Sequence, residues 1–499
     1  MSEERLAYRF GPLERRGLLG PVSAGQAAVL AVAAILAVVV LDDAPSLLGG
    51  LLAISVLAAA VPIALAPVAR RSLSEWLPIA VRMGTRRLTG RRRFISPVAT
   101  AGMRARPHPD RGAALLSPAT AHPPPGLRGV RILELPYRGR GIGALCEQRG
   151  RRLTAVLACR VAAFSLLDAE AQERRLARWG LVLSGSAGTA VTRVQWVERT
   201  APAQGDDIAR WLAAERDPAL PPRGTAMVES YLELIASATR VGQEHEILLA
   251  VQVDGRRVRE RGEAGVRSAL IEQTERVAQG LEAAEVIVLG ALGPGQLARA
   301  LRTAFDPFAR AELTALQVAD PERRGLAEAD AWPLGTEERW DHYRTDGAVH
   351  ATFWISGWPR VDVSPMFMDA LLGRSNVVRS VAVTFEPIAP DRSTRDAEAA
   401  VTRDRADREL RQRFGQSETA RQRQAHDAAA RREAELAAGH GEVRLAGFIT
   451  VSGRDPDDLR RACSEVHDHA ARARLELHRC YGQQAAAFTF TLPLCRGLA

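Results

Sequence analysis

The sequence predicts an α+β protein with an N-terminal two-helix transmembrane hairpin, followed by antiparallel or mixed sheets that carry helices on one face. Two uncharged apolar runs near the start predict the hairpin. From about residue 130, period-2 apolar stretches recur between helical patterns, which predicts the sheets. A stretch at 393–438 consists almost wholly of Ala, Arg, Glu, Gln and Asp, which is typical of long solvated helices. We therefore expect a long helical insertion there.

The apolar runs lie at 24–41 and 47–68, with the turn-forming sequence DDAPS between them. Each run has the length of about 20 residues that a helix needs to cross a bilayer. Arginines precede the first run and follow the second, and short arginine-rich flanks remain in the cytoplasm. The sequence thus predicts a two-pass plasma-membrane protein whose anchor ends at residue 71, with both termini and the remaining domains cytoplasmic.

A basic amphipathic segment follows the second run, and a proline-rich linker completes the region 72–128. Apolar residues at helical spacing precede a cluster of arginines, a pattern that favours the surface of an anionic membrane. Contact with DNA is the alternative interpretation of the same arginines. The predicted membrane-surface residues are Trp76, Arg82, Arg86, Arg87, Arg91, Arg92 and Arg93.

The first α+β domain is predicted at 129–330 and the second at 331–499. In the first, we expect strands at 130–137, 142–148, 153–161, 191–198, 246–253 and 285–292, and helices at 169–183, 206–215, 225–238, 260–281 and 296–303. In the second, we expect strands at 349–356, 380–387, 442–452 and 485–492, and helices at 365–372 and 455–475 besides the insertion. The βαβ pattern at the end of the chain repeats the alternation of strands and helices predicted for the first domain.

Composition excludes several kinds of chemistry. The chain carries a net charge of +9, and all 67 of its Lys and Arg residues are arginine. A Walker-type phosphate loop and a catalytic Schiff base both require a lysine, so neither is possible. The positive charge favours an acidic partner such as anionic lipid or nucleic acid. Five cysteines at unrelated spacings make a disulfide framework improbable.

Four groups of residues could carry chemistry, and for each the structural interpretation is the stronger one. Gly139, Gly141 and Gly143 precede a strand, where a phosphate cradle needs a helix. The turn 293–295 lacks the lysine of a phosphate loop. A metal set could be assembled from Cys463, His467, His469, His478 and Cys480, but without paired short spacings. A sugar cleft could be assembled from Asp341, Asp346, Asp362 and Asp369 beside Trp332, Trp340, Trp354 and Trp358. We therefore predict no catalytic, cofactor or metal residues.

Several segments together resemble an actinobacterial family that is found with conjugation and type IV secretion genes. They are YRFGPLERRG at 8–17, the hairpin, TDGAVH at 345–350 and WPR at 358–360. The closing segment is similar to the N-terminal, non-motor part of the conjugation ATPase, through residues 437–439, 450–452, 483–484, 486–488 and 492–494. The hairpin is similar to the small inner-membrane subunit that partners that ATPase.

The resemblance implies a non-catalytic membrane scaffold of a conjugative DNA-transfer or type IV secretion apparatus, which docks a separate ATPase. Expected partners are that ATPase, other channel subunits, anionic lipids and further copies of the chain, with direct nucleic-acid binding left open. One alternative is a component like EccE of type VII secretion, which also joins two membrane helices to an α+β domain. Another is a degenerate membrane-anchored enzyme of glycosyltransferase type. The insertion at 393–438 is the predicted partner contact.

Overall fold

The structure is a computed structural model. It describes residues 24–43, 45–65, 67–68, 71–97, 122–137, 140–148, 150–161, 164–202, 226–227, 230, 233, 243–260, 262–310, 313, 326–359, 361, 363–373, 375–413, 428, 430–436 and 441–498. The chain divides into two compact units, one at Pro12–Arg92 and the other formed by Met1–Gly11 with Arg93–Ala499. We describe each unit by itself.

The first unit is helical. It contains α1 (Ala24–Asp43), α2 (Leu47–Leu65), the two-residue strands β1 (Pro67–Val68) and β2 (Arg71–Ser72), and α3 (Leu73–Leu88). Small residues allow α1 and α2 to pack closely, and they include the buried Ala33, Ala37, Ala53 and Ala60. The large apolar side chains of both helices, such as Ile35 and Leu51, are exposed.

The predicted transmembrane hairpin is wrong, although helices form at both positions. Across the described residues, no helix combines the length and the apolar character needed to cross a membrane. Asp42 and Asp43 end α1, so its uncharged part spans roughly 27 Å at about 1.5 Å per residue, against about 30 Å of bilayer hydrocarbon. Helix α2 has 19 residues and contains Pro62. The predicted localisation as a two-pass plasma-membrane protein rested on these helices, so the same finding contradicts it.

The second unit is built on one sheet of 13 strands, in which every pairing is antiparallel. The prediction of separate antiparallel or mixed sheets is therefore wrong. The strand order is β3-β10-β11-β12-β14-β13-β7-β8-β6-β5-β4, with β15 also on β12 and β9 also on β6. The strands are β3 Arg93–Ile95, β4 Arg131–Tyr137, β5 Arg140–Glu147, β6 Arg152–Arg160, β7 Val191–Pro202, β8 Gln243–Asp254, β9 Ile287–Ala291, β10 Gly335–Glu338, β11 Tyr343–Arg344, β12 Val349–Gly357, β13 Val378–Pro387, β14 Val443–Gly453 and β15 Glu476–Arg479.

Helices cover both faces of this sheet, which corrects the prediction that they lie on one face. They are α4 Ala169–Gly185, α5 Glu263–Ala283, α6 Pro294–Phe305, α7 Asp369–Leu372, α8 Pro390–Arg413, α9 Pro456–Arg472 and α10 Gln484–Phe488. Strand β8 shows the arrangement, because Leu248 packs with α6 in one core while the adjacent Leu249 packs with α4 and α5 in another. The sequence around these residues, ILLAVQV, is a continuous apolar run, which is typical of a strand buried on both faces.

The sheet contains the same topology twice. In the first half β5, β6, α4, β7, β8, α5, β9 and α6 follow one another, and in the second β11, β12, α7, β13, β14, α9, β15 and α10 do so. In the first half β7 lies beside β8, and the short strand β9 pairs with β6. In the second half β13 lies beside β14, and the short strand β15 pairs with β12. Strands β7 and β13 join the halves, from Thr200 opposite Arg379 to Val194 opposite Phe385. The predicted boundary at residue 330 lies between the halves.

Most predicted elements of this unit are confirmed to within a few residues. The predicted strand at 485–492 is wrong, because these residues form α10 and a 3₁₀ turn at Thr489–Thr491, while the strand is β15 just before them. The helices predicted at 206–215 and 225–238 lie almost entirely outside the described residues, as do 414–427 of the insertion.

The side chain of Gln484 explains why a helix replaces the predicted strand. Along one edge of β12, β11 pairs with Val349 and His350, and β15 pairs from Phe353 onward. Thr352 lies between these two pairings and faces no strand on that edge. The carboxamide of Gln484 accepts a hydrogen bond from the Thr352 backbone N–H at 2.8 Å and donates to the carbonyl of Cys480 at 3.0 Å. One fully buried glutamine thus completes the hydrogen bonding of the strand edge.

Replacing Gln484 by Leu should lower the free energy of unfolding by about 2 kcal/mol, because a buried backbone N–H loses its acceptor. Urea denaturation followed by tryptophan fluorescence measures this change. The control is Glu282→Leu on the exposed face of α5, which should stay within about 0.5 kcal/mol of the wild type. Equal stability of the two variants would contradict the role given to Gln484.

Candidate functional site

The predicted membrane-surface residues do not all belong to one unit. Helix α3 buries Ile79 and Met83, exposes Arg82 and Arg87 and half-buries Arg86, so it is amphipathic as predicted. Arg93 instead lies in β3 of the sheet unit, where its guanidinium is 3.3 Å from the carboxylate of Glu337. The lipid-binding role of Trp76, Arg82, Arg86, Arg87, Arg91 and Arg92 stays a prediction.

The residues of the candidate metal set serve packing. Cys463 and Cys480 are buried thiols outside any disulfide, and burial raises the pKa of Cys463 to about 11. His467 lies on the same helix, with its Nδ1 at 3.0 Å from the Cys463 carbonyl and its ring edge-on to Phe353. Over the described part of the chain, no three His, Cys, Asp or Glu side chains come together in a way that could hold a metal ion.

Close backbone packing explains the glycines of the apparent phosphate motifs. A Cβ atom at Gly143 would lie 2.5 Å from Leu297 and 2.9 Å from the backbone of Pro294, so only glycine lets β5 approach the start of α6. At that start, the Gly293 backbone N–H donates to the side chain of Gln296. The strand and helix ends that could have cradled a phosphate are therefore packed against each other. Gly139 lies outside the described residues.

The carboxylates of the candidate sugar cleft are bound within the fold. Asp346 contacts Arg302 at 2.8 Å and accepts hydrogen bonds from the backbone N–H groups of Leu334 and Gly335. Asp341 contacts the side chain of Arg479 at 3.9 Å. Asp362 lies outside the described residues, and Trp332 is buried. The ion pairs and hydrogen bonds of Asp346 and Asp341 favour the structural interpretation of these two carboxylates.

A buried Ser-His pair that the sequence did not reveal connects β12 and β14. His350 lies directly opposite Ser452 in the register, and its Nδ1 is 2.8 Å from the Ser452 hydroxyl. Its Nε2 is 3.0 Å from the carbonyl of Phe305, so Nε2 carries the proton and Nδ1 accepts from the serine. Burial lowers the pKa of His350 to about 4. Among the described residues, the ring's hydrogen-bonding partners are Ser452, Thr345 and the carbonyl of Phe305, so the pair ties β12 to β14 and to the end of α6.

The candidate functional site is a cavity of about 780 Å³ at the end of the sheet where β5 ends and β6 begins. Strands β7 and β8 contribute Arg193 and Gln252, and the chain before β4 contributes residues 128–131. Its volume lies within the range of roughly 300–1,000 Å³ that is usual for small-molecule sites. Five of its lining residues are arginines, namely Arg128, Arg131, Arg152, Arg193 and Arg496.

The C-terminal segment 489–498 crosses the sheet and closes this cavity. Two buried amides hold it, since Gln195 donates to the Phe490 carbonyl at 2.7 Å and Gln252 donates to the Leu494 carbonyl at 3.1 Å. Arg193 donates to the carbonyls of Cys495 at 3.2 Å and Leu498 at 2.9 Å. The segment therefore orients an arginine of the cavity through its own backbone.

Two ion pairs order further arginines around the cavity. The Nε of Arg496 donates to Glu147 at 2.9 Å, and its Nη1 donates to the carbonyl of Gly126 at 2.8 Å. Arg152 donates to Asp254 at 3.1 Å. Burial alone would raise the pKa of Asp254, but hydrogen bonds from the backbone of Arg256 and from Arg152 lower it below its usual value. Asp254 therefore remains charged and holds Arg152 in place.

Comparison with protein families gives one match, to the family described as "Putative type VII ESX secretion system translocon, EccE", over residues 230–355. The matched stretch runs from before β8 into β12 and includes α5, β9, α6 and the chain segment that leads from the first half into the second. No curated protein matches the chain. The match supports a secretion component of the type VII alternative, and the assignment to type IV secretion and conjugation is corrected accordingly. The resemblance to a conjugation-associated family stays a prediction.

The buried His350 predicts a specific pH dependence of stability. The imidazole of the unfolded chain has a pKa near 6.5, whereas that of the folded protein is about 4, so only the unfolded chain gains a proton between these values. The contribution of His350 to the free energy of unfolding is therefore complete above about pH 6.5 and decreases as the pH falls. We expect a loss of about 2 kcal/mol between pH 7 and pH 5.

Urea denaturation at both pH values measures this loss, and His350→Gln should remove it. The exposed His122 provides the control, because His122→Gln should retain the pH dependence of the wild type. An equal pH dependence in the wild type and in His350→Gln would contradict the assignment.

Proposed function

We propose that this chain is a component of a type VII secretion apparatus that acts by binding partner subunits and not by catalysis. The observation that carries the proposal is the family match over residues 230–355. We include an ATPase among the expected partners, which would supply any nucleotide hydrolysis, because a chain without lysine has no Walker lysine of its own.

Within the matched residues, β9 has the features of a strand-addition site. One edge of β9 pairs with β6, and among the described residues no strand pairs with its other edge. Ile287 and Leu289 are 51% and 58% exposed, while Val286 and Val288 pack into the core beneath them. The strand contains no charge and no proline, the usual devices that protect a free edge from pairing. An extended strand of a partner subunit is the occupant that fits this edge.

The start of β9 is fixed for such pairing. Glu285 has a positive φ of 60° and accepts hydrogen bonds from Arg175 and Arg178 of α4, each at 2.8 Å. The hydrogen bond from Arg175 and the charges of both arginines lower the pKa of Glu285, so this anchor is ionised at neutral pH. A strand held at its start by a helix presents a rigid edge, which reduces the entropy lost on binding.

The experiment is a pull-down of the full-length protein from its own cells, followed by mass spectrometry. We expect type VII secretion subunits, including an ATPase, to co-purify with the wild type. The double variant Ile287→Asp/Leu289→Asp should reduce their recovery at least about tenfold, because two charges oppose the apolar contact. Leu166→Asp is the matched control, since Leu166 is an exposed leucine outside the matched residues.

Three results would contradict the proposal: co-purification of type IV channel subunits, a protein that comes down alone, or equal recovery with the double variant. Circular dichroism should show that both variants retain the wild-type fold, because the substituted side chains are more than half exposed. The predicted partner contact of the insertion at 393–438 stays a prediction, and deleting 399–436 in the same pull-down tests it.

A further inference from the structure

The arginine-lined cavity has an excess of positive charge that the fold does not neutralise. Its only acidic lining residues are Glu147, which pairs with Arg496, and Glu263, which pairs with Arg267 outside the lining. Arg152 pairs with Asp254. Arg128 and Arg131 form no ion pair with any described residue. Among the described residues, the cavity therefore holds two cations, Arg128 and Arg131, without an ion-pair partner.

The backbone that carries these two arginines is ordered, while their side chains are exposed. They lie on either side of Gly129, whose positive φ of 86° defines a tight turn. The carbonyl of Gly126, just before this turn, accepts the hydrogen bond of Arg496. The nearby Arg193 has only 17% of its side chain exposed, forms an ion pair with Glu386 at 3.7 Å and donates to two carbonyls of the C-terminal segment. Like charges repel one another, so a cluster of this kind gains stability when an anion enters it.

The sheet unit supplies a comparison. A second cavity, of about 450 Å³, lies where β14 ends and α9 begins, and residues of both halves line it. It contains Arg454 and Arg461, but Asp458 and Glu465 also line it, so its charges balance. The first cavity differs from it by its excess of arginine.

We propose that the cavity at the β5–β6 end binds a compact anion with two or more negative charges, carried by phosphate or carboxylate groups. Planar guanidinium groups bind both kinds of oxyanion through paired hydrogen bonds, and the cavity is large enough for such a ligand. Arg128, Arg131 and Arg193 provide the contacts, and Arg496 positions the turn that carries the first two. This site is separate from the partner edge at β9.

Isothermal titration of the full-length protein with inorganic pyrophosphate and, separately, with citrate tests the proposal and distinguishes the two ligand chemistries. We expect saturable binding of at least one anion. The double variant Arg128→Gln/Arg131→Gln should weaken it at least about tenfold, because two charged contacts are lost. The matched control Arg454→Gln/Arg461→Gln removes the same charge from the balanced cavity and should leave the affinity within about twofold.

Binding of pyrophosphate alone identifies a phosphate ligand, and binding of citrate alone identifies a carboxylate ligand. The proposal is overturned if neither anion gives saturable heat, or if the Arg128/Arg131 variant binds as tightly as the wild type. Both substitutions lie at exposed positions, so thermal denaturation should give the wild-type midpoint and exclude loss of folding as the cause.

Discussion

The pairing of β7 with β13 is the constraint on which the sheet unit depends. Seven residue pairs, between Thr200–Val194 and Arg379–Phe385, are the only strand pairing that connects the two halves within the described residues. A one-residue slip would turn Val197 and Ala382 from the core of one face to the other. Since helices cover both faces, this register also fixes which helices share a core.

Buried glutamine side chains form the second set of interactions that organise this unit. Gln195 and Gln252 lie on neighbouring strands and bind the backbone of the C-terminal segment, whereas Gln484 completes the edge of β12. A carboxamide can donate and accept at once, so each glutamine satisfies irregular backbone that would otherwise be buried without partners. Because the segment then carries Arg496 to Glu147, the same amides set the geometry of the arginine-lined cavity.

The strands and long helices could be predicted from the sequence because their apolar periodicity is local. The run ILLAVQV of β8 also contained the signal for burial on both faces, but a continuous apolar run does not reveal what covers each face. The hairpin prediction rested on the hydropathy and length of two runs that are only just long enough for a bilayer, and no helix among the described residues is long and apolar enough to cross one. The cavity could not be predicted, because Arg128 and Arg496 are separated by most of the chain and only the tertiary structure brings both into its lining. No short motif marks it.

The repeat of topology has a consequence for symmetry. Antiparallel pairing of equivalent edge strands is self-complementary, so β7 and β13 meet as two copies of one strand meet across a twofold axis. The two halves of the sheet are therefore arranged as the protomers of an isologous dimer are, but within one chain. Because the two halves differ in sequence, their surfaces can differ, and one cavity has an excess of arginine while the other has balanced charges. A homodimer of identical chains would present every such feature twice.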